Sequence, residues 1–137
     1  MDGIEQIKKH EGLELKVYTC TAGRLTIGYG RNLEDRGITE EEALYLLRND
    51  IEKITKRLKK EIKFFDTLNE PRQWVLINMA YNMGVTGLLK FKNTLKNIEN
   101  EKYIEASNQM LDSKWAKQVK GRAQELAAQM AGGSFIG

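Results

Sequence analysis

Glu11 stands where a side chain could do chemistry. Ile4, Ile7 and Glu11 recur at intervals of three and four over a short helix predicted for residues 2–11, which places a carboxylate on the stripe expected to face inward. Burial raises a carboxyl pKa, and a carboxyl still protonated near neutral pH can donate to a leaving oxygen. The competing reading is a helix-terminal Glu tied into a salt bridge. Further on, Arg24 to Tyr29 alternates as a strand, with Leu25, Ile27 and Tyr29 on one face and Thr26, Gly28 and Gly30 on the other. That second face is nearly bare. Glycines at such spacing mark the close approach of a ligand or another backbone, or else a bulge or tight bend. Asn78 and Asn82 lie one turn apart in an apolar segment, either as structural hydrogen-bonders or as amides aimed into a cleft.

The elements that must position these groups follow from changes of period. Leu13, Leu15 and Val17 alternate with Glu14, Lys16 and Tyr18, so a strand precedes the turn material Thr19 to Gly23 and the pair reads as a hairpin. Thr39-Glu40-Glu41-Glu42 is a capping box, after which Leu44, Leu47, Ile51, Ile54 and Leu58 give a long amphipathic helix over about 40–60. Asn69-Glu70-Pro71 starts another helix, apolar nearly all round from Trp74 to Met83 and ended by Gly84. Amphipathic segments near 92–98, 101–112 and 121–131 follow, with Ile104, Met110, Leu111, Leu126 and Met130 as expected core positions. The expected fold class is α+β, predominantly helical. It is read as a single domain over 1–137, with a small hairpin lobe at about 12–38, the helix 2–11 packing on a helical lobe at about 64–131, the long helix 40–60 between the lobes, and a tail at 132–137. A cleft between the lobes is the default binding site.

Composition narrows the function classes. The chain has 137 residues, one Cys and one His, and a formal net charge of +3. One imidazole and one thiol cannot build an ordinary zinc site, a two-His metal hydrolase or a disulfide framework. No metal or cofactor is expected. His10 is read as a surface residue. The charge is too small and too interspersed for a nucleic-acid-binding bundle. No apolar run is long enough to span a bilayer and no secretory signal is visible, so the expectation is a protein soluble as synthesised, without stable membrane insertion. Lys53, Lys56, Arg57, Lys59, Lys60 and Lys63 crowd the second half of the long helix, as a solvated face aided by the helix dipole or as a patch for an anionic polymer.

Glu11-Gly12-Leu13, Tyr18, Gly23 and Thr26-Ile27-Gly28-Tyr29-Gly30 closely resemble the phage-type, T4-like lysozymes. Eight residues separate Glu11 from Cys20 and five separate Cys20 from Thr26, which matches that family's spacing of Glu, then Asp or Cys, then Thr. The resemblance continues through Ile77 to Gly84, Phe91 to Leu95, Ser113-Lys114-Trp115 and Gly121-Arg122-Ala123, nearly the whole chain.

The resemblance implies a lysozyme-like fold and hydrolysis of the β-1,4 bond between N-acetylmuramic acid and N-acetylglucosamine in peptidoglycan. It implies Glu11 as general acid, Thr26 as the holder of the attacking water, Cys20 as base or electrostatic partner, and Arg122 in contact with Glu11. Asn32, Tyr81, Thr94 and Gln109 match the substrate-contacting positions, with Trp115 and Asn93 as structural support. An endolysin of this kind is expected to be a monomer, made in the host cytoplasm and released to the wall through a membrane hole made by another protein. This sequence departs from the family pattern in three places. Cys20 stands where the best-known members have Asp, Arg31 stands where a His usually follows the Gly-Tyr-Gly run, and the segment from Asn32 to Thr39 is shorter. A thiolate would serve in place of the Asp only with its pKa lowered from about 8.5. The alternatives are a lytic transglycosylase using Glu11 alone, and a peptidoglycan-binding module without catalysis.

Overall fold

The computed structural model describes residues 2–136 and divides the chain into two compact units, Met1–Leu46 and Leu47–Gly137. In the first, Asp2 caps α1 (Gly3–Glu11) by accepting from the Glu5 amide at 2.8 Å, and Gly12, at φ +72°, ends it. An antiparallel sheet follows in the order β1 (Glu14–Thr19), β2 (Leu25–Gly28), β3 (Arg31–Asn32). Thr26 is at its centre, opposite Tyr18 on one side and Asn32 on the other. The third strand, and the short helix α2 (Leu33–Arg36) behind it, occupy the segment that the sequence left without structure. The capping box forms as expected, with the Thr39 amide donating to Glu42 Oε1 at 2.8 Å and the Glu42 amide to Thr39 Oγ1 at 3.1 Å.

The long helix α3 (Glu40–Glu61) is continuous, and the division between the units falls within it. The second unit continues with a 3₁₀ turn (Phe65–Thr67), α4 (Glu70–Met83), α5 (Val85–Leu89), α6 (Lys92–Glu99), α7 (Tyr103–Leu111), α8 (Lys114–Val119) and α9 (Gly121–Gly132). Asn69 caps α4, and Pro71 sits in its first turn, where its missing N–H costs nothing. This helix is central, burying Val75, Leu76, Ile77, Met79 and Ala80. Around it pack Leu58, Phe65, Leu88, Ile98, Met110, Leu126 and Met130, all core residues. The architecture is α+β and predominantly helical, as expected.

Two expected core residues fall outside. Ile104 is 67% and Leu111 43% exposed, because α7 buries the face carrying Ala106, Ser107 and Met110, and both lie about 100° round the helix from Met110 or beyond it. Phe135 and Ile136 are also exposed. The end of α9 is instead closed by Arg72, which donates to the carbonyls of Met130 at 2.7 Å and Ala131 at 3.0 Å. No helix among the described residues is long and apolar enough to cross a membrane.

Candidate active site

Within the first unit the loop between β1 and β2 shapes the surroundings of the thiol. Cys20 and Arg24 pair through the Cys20 amide and the Arg24 carbonyl at 2.9 Å, and the Gly23 amide donates to the Cys20 carbonyl at 2.9 Å. A three-residue loop of this kind needs a left-handed residue at its end, which Gly23 supplies at φ +80°. The consequence is electrostatic. The Arg24 backbone N–H, then the Thr26 hydroxyl, then the Ala22 backbone N–H face the sulfur and hold the Cys20 thiol below its ordinary value, against a smaller opposing effect of burial. Cys20 is half-buried and free.

Thr26 is 2% exposed, the one buried polar side chain of this unit among the described residues. Its single hydroxyl proton goes either to the Arg24 carbonyl, 2.9 Å away, or to the Cys20 sulfur when the thiol is ionised, and its lone pairs are left to accept from a neighbour. Glu11, the last residue of α1, lays its carboxyl against Gly30: a Cβ at that glycine would lie 2.8 Å from Glu11 Cδ and closer still to Oε2. Gly30 lies in the turn beyond β2, where a side chain would occupy the carboxylate's place, whereas Gly28 meets nothing within 4 Å and is accounted for by the tight bend at φ +71°. Glu11 is exposed rather than buried, and α1 as a whole buries no side chain.

Asn32, expected to meet substrate, caps α2, its Oδ1 accepting from the Asp35 amide at 3.1 Å and its Nδ2 donating to Asp35 Oδ2 at 2.9 Å. Arg31, where the family pattern has His, makes a forked pair with Glu42, Nη2 to Oε2 at 2.7 Å and Nη1 to Oε1 at 3.2 Å, and donates to the Gly37 carbonyl at 3.3 Å. The sequence had not indicated Glu42 as its partner. The Thr39 backbone N–H foremost, then the Thr39 hydroxyl, Arg31 and Arg36, lower the Glu42 pKa.

In the second unit Arg122 lies in the first turn of α9 and is held by Asn78 of α4. Its Nε donates to Asn78 Oδ1 at 2.9 Å and its Nη2 to the Asn78 carbonyl at 3.4 Å. With Tyr81 and Trp74 they line a cavity of about 240 Å³. Asn82 Oδ1 accepts from Trp115 Nε1 at 2.8 Å, and Trp115 meets Phe91 edge-on with ring centroids 6.3 Å apart. Both Asn side chains are thus hydrogen-bonders, one of them holding a candidate site residue. Thr94 and Gln109 line a separate cavity of about 590 Å³ together with Asn93, and Gln109 Oε1 accepts from Asn97 Nδ2 at 2.9 Å. Among the described residues no group of three His, Cys, Asp or Glu could hold a metal ion.

Residues 8–130 match the phage lysozyme family model, a stretch that contains every candidate residue above. The chain belongs to the phage lysozyme family. An endolysin of Acyrthosiphon pisum secondary endosymbiont phage 1 is 36% identical over 88% of this chain and 82% of its own length. The endolysin of Bacillus phage B103 is 33% identical over 96% of this chain and 54% of its own, and a probable T4-type lysozyme of Dictyostelium discoideum is 28% identical over 96% and 94%. As a phage lysozyme this protein is a lysozyme-type enzyme, a lytic hydrolase of the bacterial wall.

Proposed function

We propose that this phage lysozyme is a muramidase endolysin that hydrolyses the β-1,4 bond between N-acetylmuramic acid and N-acetylglucosamine in peptidoglycan, with inversion. The observation that supports it most is the turn that aims the Arg24 and Ala22 backbone N–H groups at the Cys20 sulfur beside Thr26, because it lowers the thiol pKa in the direction that a cysteine in the place of an Asp requires. Glu11 protonates the glycosidic oxygen, which leaves with the bonding pair as positive charge develops on the sugar. A water held by the lone pairs of Thr26 attacks C1 from the opposite face, and its proton passes to the Cys20 thiolate. The new C–O bond is the only one formed at that carbon. Water returns the proton to Glu11.

Arg122, oriented by Asn78, is a supporting residue of the site. Tyr81, Thr94 and Gln109 meet the sugars and their acetamido groups, and Asn32 offers the one amide proton that its capping role leaves over. The enzyme acts as a monomer, is made in the host cytoplasm and reaches the wall through a membrane hole formed by another protein. Clearing of purified peptidoglycan by the native protein and by Glu11→Gln tests the assignment. The native protein is expected to clear the suspension and the variant to leave it turbid, whereas equal activity or equal inactivity of the two contradicts it.

A further inference from the structure

The charge of this chain is divided unevenly. Residues 47–137 carry sixteen Lys and Arg against ten Asp and Glu, while residues 1–46 carry six against nine. Part of the excess lines a groove of about 480 Å³ between the end of α3 and α6, whose rim carries Lys63, Lys92 and Lys96 and whose floor includes Phe64, Leu89 and Leu95. Glu61 and Glu99 also line it, leaving a net positive rim. All three lysines are exposed. Among the described residues, the ion pairs of this unit join Lys56 to Glu52 and Lys59 to Asp66 and involve none of the three. Helix stability does not account for them all. Lys92 opens α6, where a cation opposes the helix dipole.

We propose that this groove docks a polyol-phosphate chain of the bacterial wall, holding the enzyme on its insoluble substrate independently of the bond it cleaves. Lysines without an arginine suit a flexible, hydrated polyanion met charge by charge, whereas bidentate recognition of single carboxylates favours arginine forks. Lys92 and Lys96 are one helical turn apart, about 5–6 Å between their Cβ atoms, a spacing that lets them meet neighbouring charges on one chain. The apolar floor takes the carbon segments between phosphates. Nucleic acid fits less well, since Phe64 is the sole aromatic lining residue and is half-buried, leaving no platform on which bases could stack. Lys92 also lines the cavity of Thr94 and Gln109, so a polymer attached near a bound glycan strand has a short path between the two.

Full-length protein carrying Glu11→Gln, which leaves the wall intact, is sedimented with walls bearing the phosphate polymer and with walls stripped of it by hydrofluoric acid, across a salt series. Lys63→Glu with Lys96→Glu is the test variant, because neither residue lines the cavity assigned to the glycan. Stripping is expected to weaken binding about tenfold or more at low salt, added salt to erase the difference, and the double variant to bind both walls alike. On the native background, the double variant is expected to hydrolyse soluble glycan fragments normally. Equal binding to both walls by the unmodified groove, or an unchanged preference in the double variant, overturns the proposal. So does equal affinity for single-stranded DNA of matched charge. Failure of the native enzyme to cleave soluble fragments would instead strike the muramidase reading and leave the docking result standing.

Discussion

Gly28 and Gly30 form a matched pair of positions that isolates the contribution of the Glu11 contact. Both are left-handed, at φ +71° and +70°, so alanine at either costs about 1–2 kcal/mol of backbone strain. They differ in surroundings. A Cβ at Gly28 meets nothing within 4 Å, whereas at Gly30 it lies 2.8 Å from Glu11 Cδ. Carbon atoms rest about 3.5–4.0 Å apart, so the carboxyl must retreat by about 1 Å in Gly30→Ala. A displacement of that size at a reacting group costs about 100-fold in rate. Urea denaturation should therefore show similar losses of stability for the two variants, while turbidity clearing on purified walls falls about 100-fold for Gly30→Ala alone. Equal activity of the two folded variants would refute the proposal that the carboxyl placed over Gly30 is the general acid.

The remaining predictions concern pH and packing. In the proposed mechanism the ionised thiol is the active form, so kcat/KM should fall as pH drops through a Cys20 pKa below the ordinary thiol value of about 8.5; Cys20→Asp should move that limb into the carboxylate range, and Cys20→Ser should lose activity about 100-fold or more. Glu42 has a lowered pKa, so its stabilising effect is complete above the unfolded carboxyl value of about 4.3 and is lost as pH falls through the folded value; urea midpoints of Glu42→Gln should depend less on pH across that window than those of the native chain. Met110→Ala, at a fully buried position, should cost about 2–5 kcal/mol by the same denaturation assay. Ile104→Ala, on the exposed side of the same helix, should stay within about 0.5 kcal/mol of the native protein.

The longer helices were legible because their signals are local, whereas α5 and α8, of five and six residues, were not placed. The Thr39 and Asn69 caps and the Gly84 stop lie where their side chains and backbone freedom require, and the long helix ends within a residue of the expected position. The third strand and α2 were hidden because two-residue pairing and a single helical turn leave no periodicity to read. Ile104 and Leu111 misled because an apolar type says only that burial is affordable, whereas the face of α7 that is buried is set by its partners. Of the two readings of the glycines, the tight bend holds at both Gly28 and Gly30, which turn the chain from β2 into β3, and a close approach, by the Glu11 side chain, holds at Gly30 alone. Of the partners of Cys20, Thr26 was legible from its spacing, whereas the Arg24 and Ala22 backbone amides were invisible because no residue type records them. Asn78 offered a readable signal as an amide within an apolar helix, but its partner Arg122 is 44 residues away along the chain.

The most direct test is mass spectrometry of purified peptidoglycan digested in ¹⁸O-labelled water, with Cys20→Ser and Cys20→Asp alongside. The account predicts reducing N-acetylmuramic acid ends carrying one labelled oxygen, largely lost in the Ser variant and kept in the Asp variant. Unlabelled anhydro-muramic ends that ignore the residue at position 20 would contradict it, leaving Glu11 as sole acid and base and water outside the reaction.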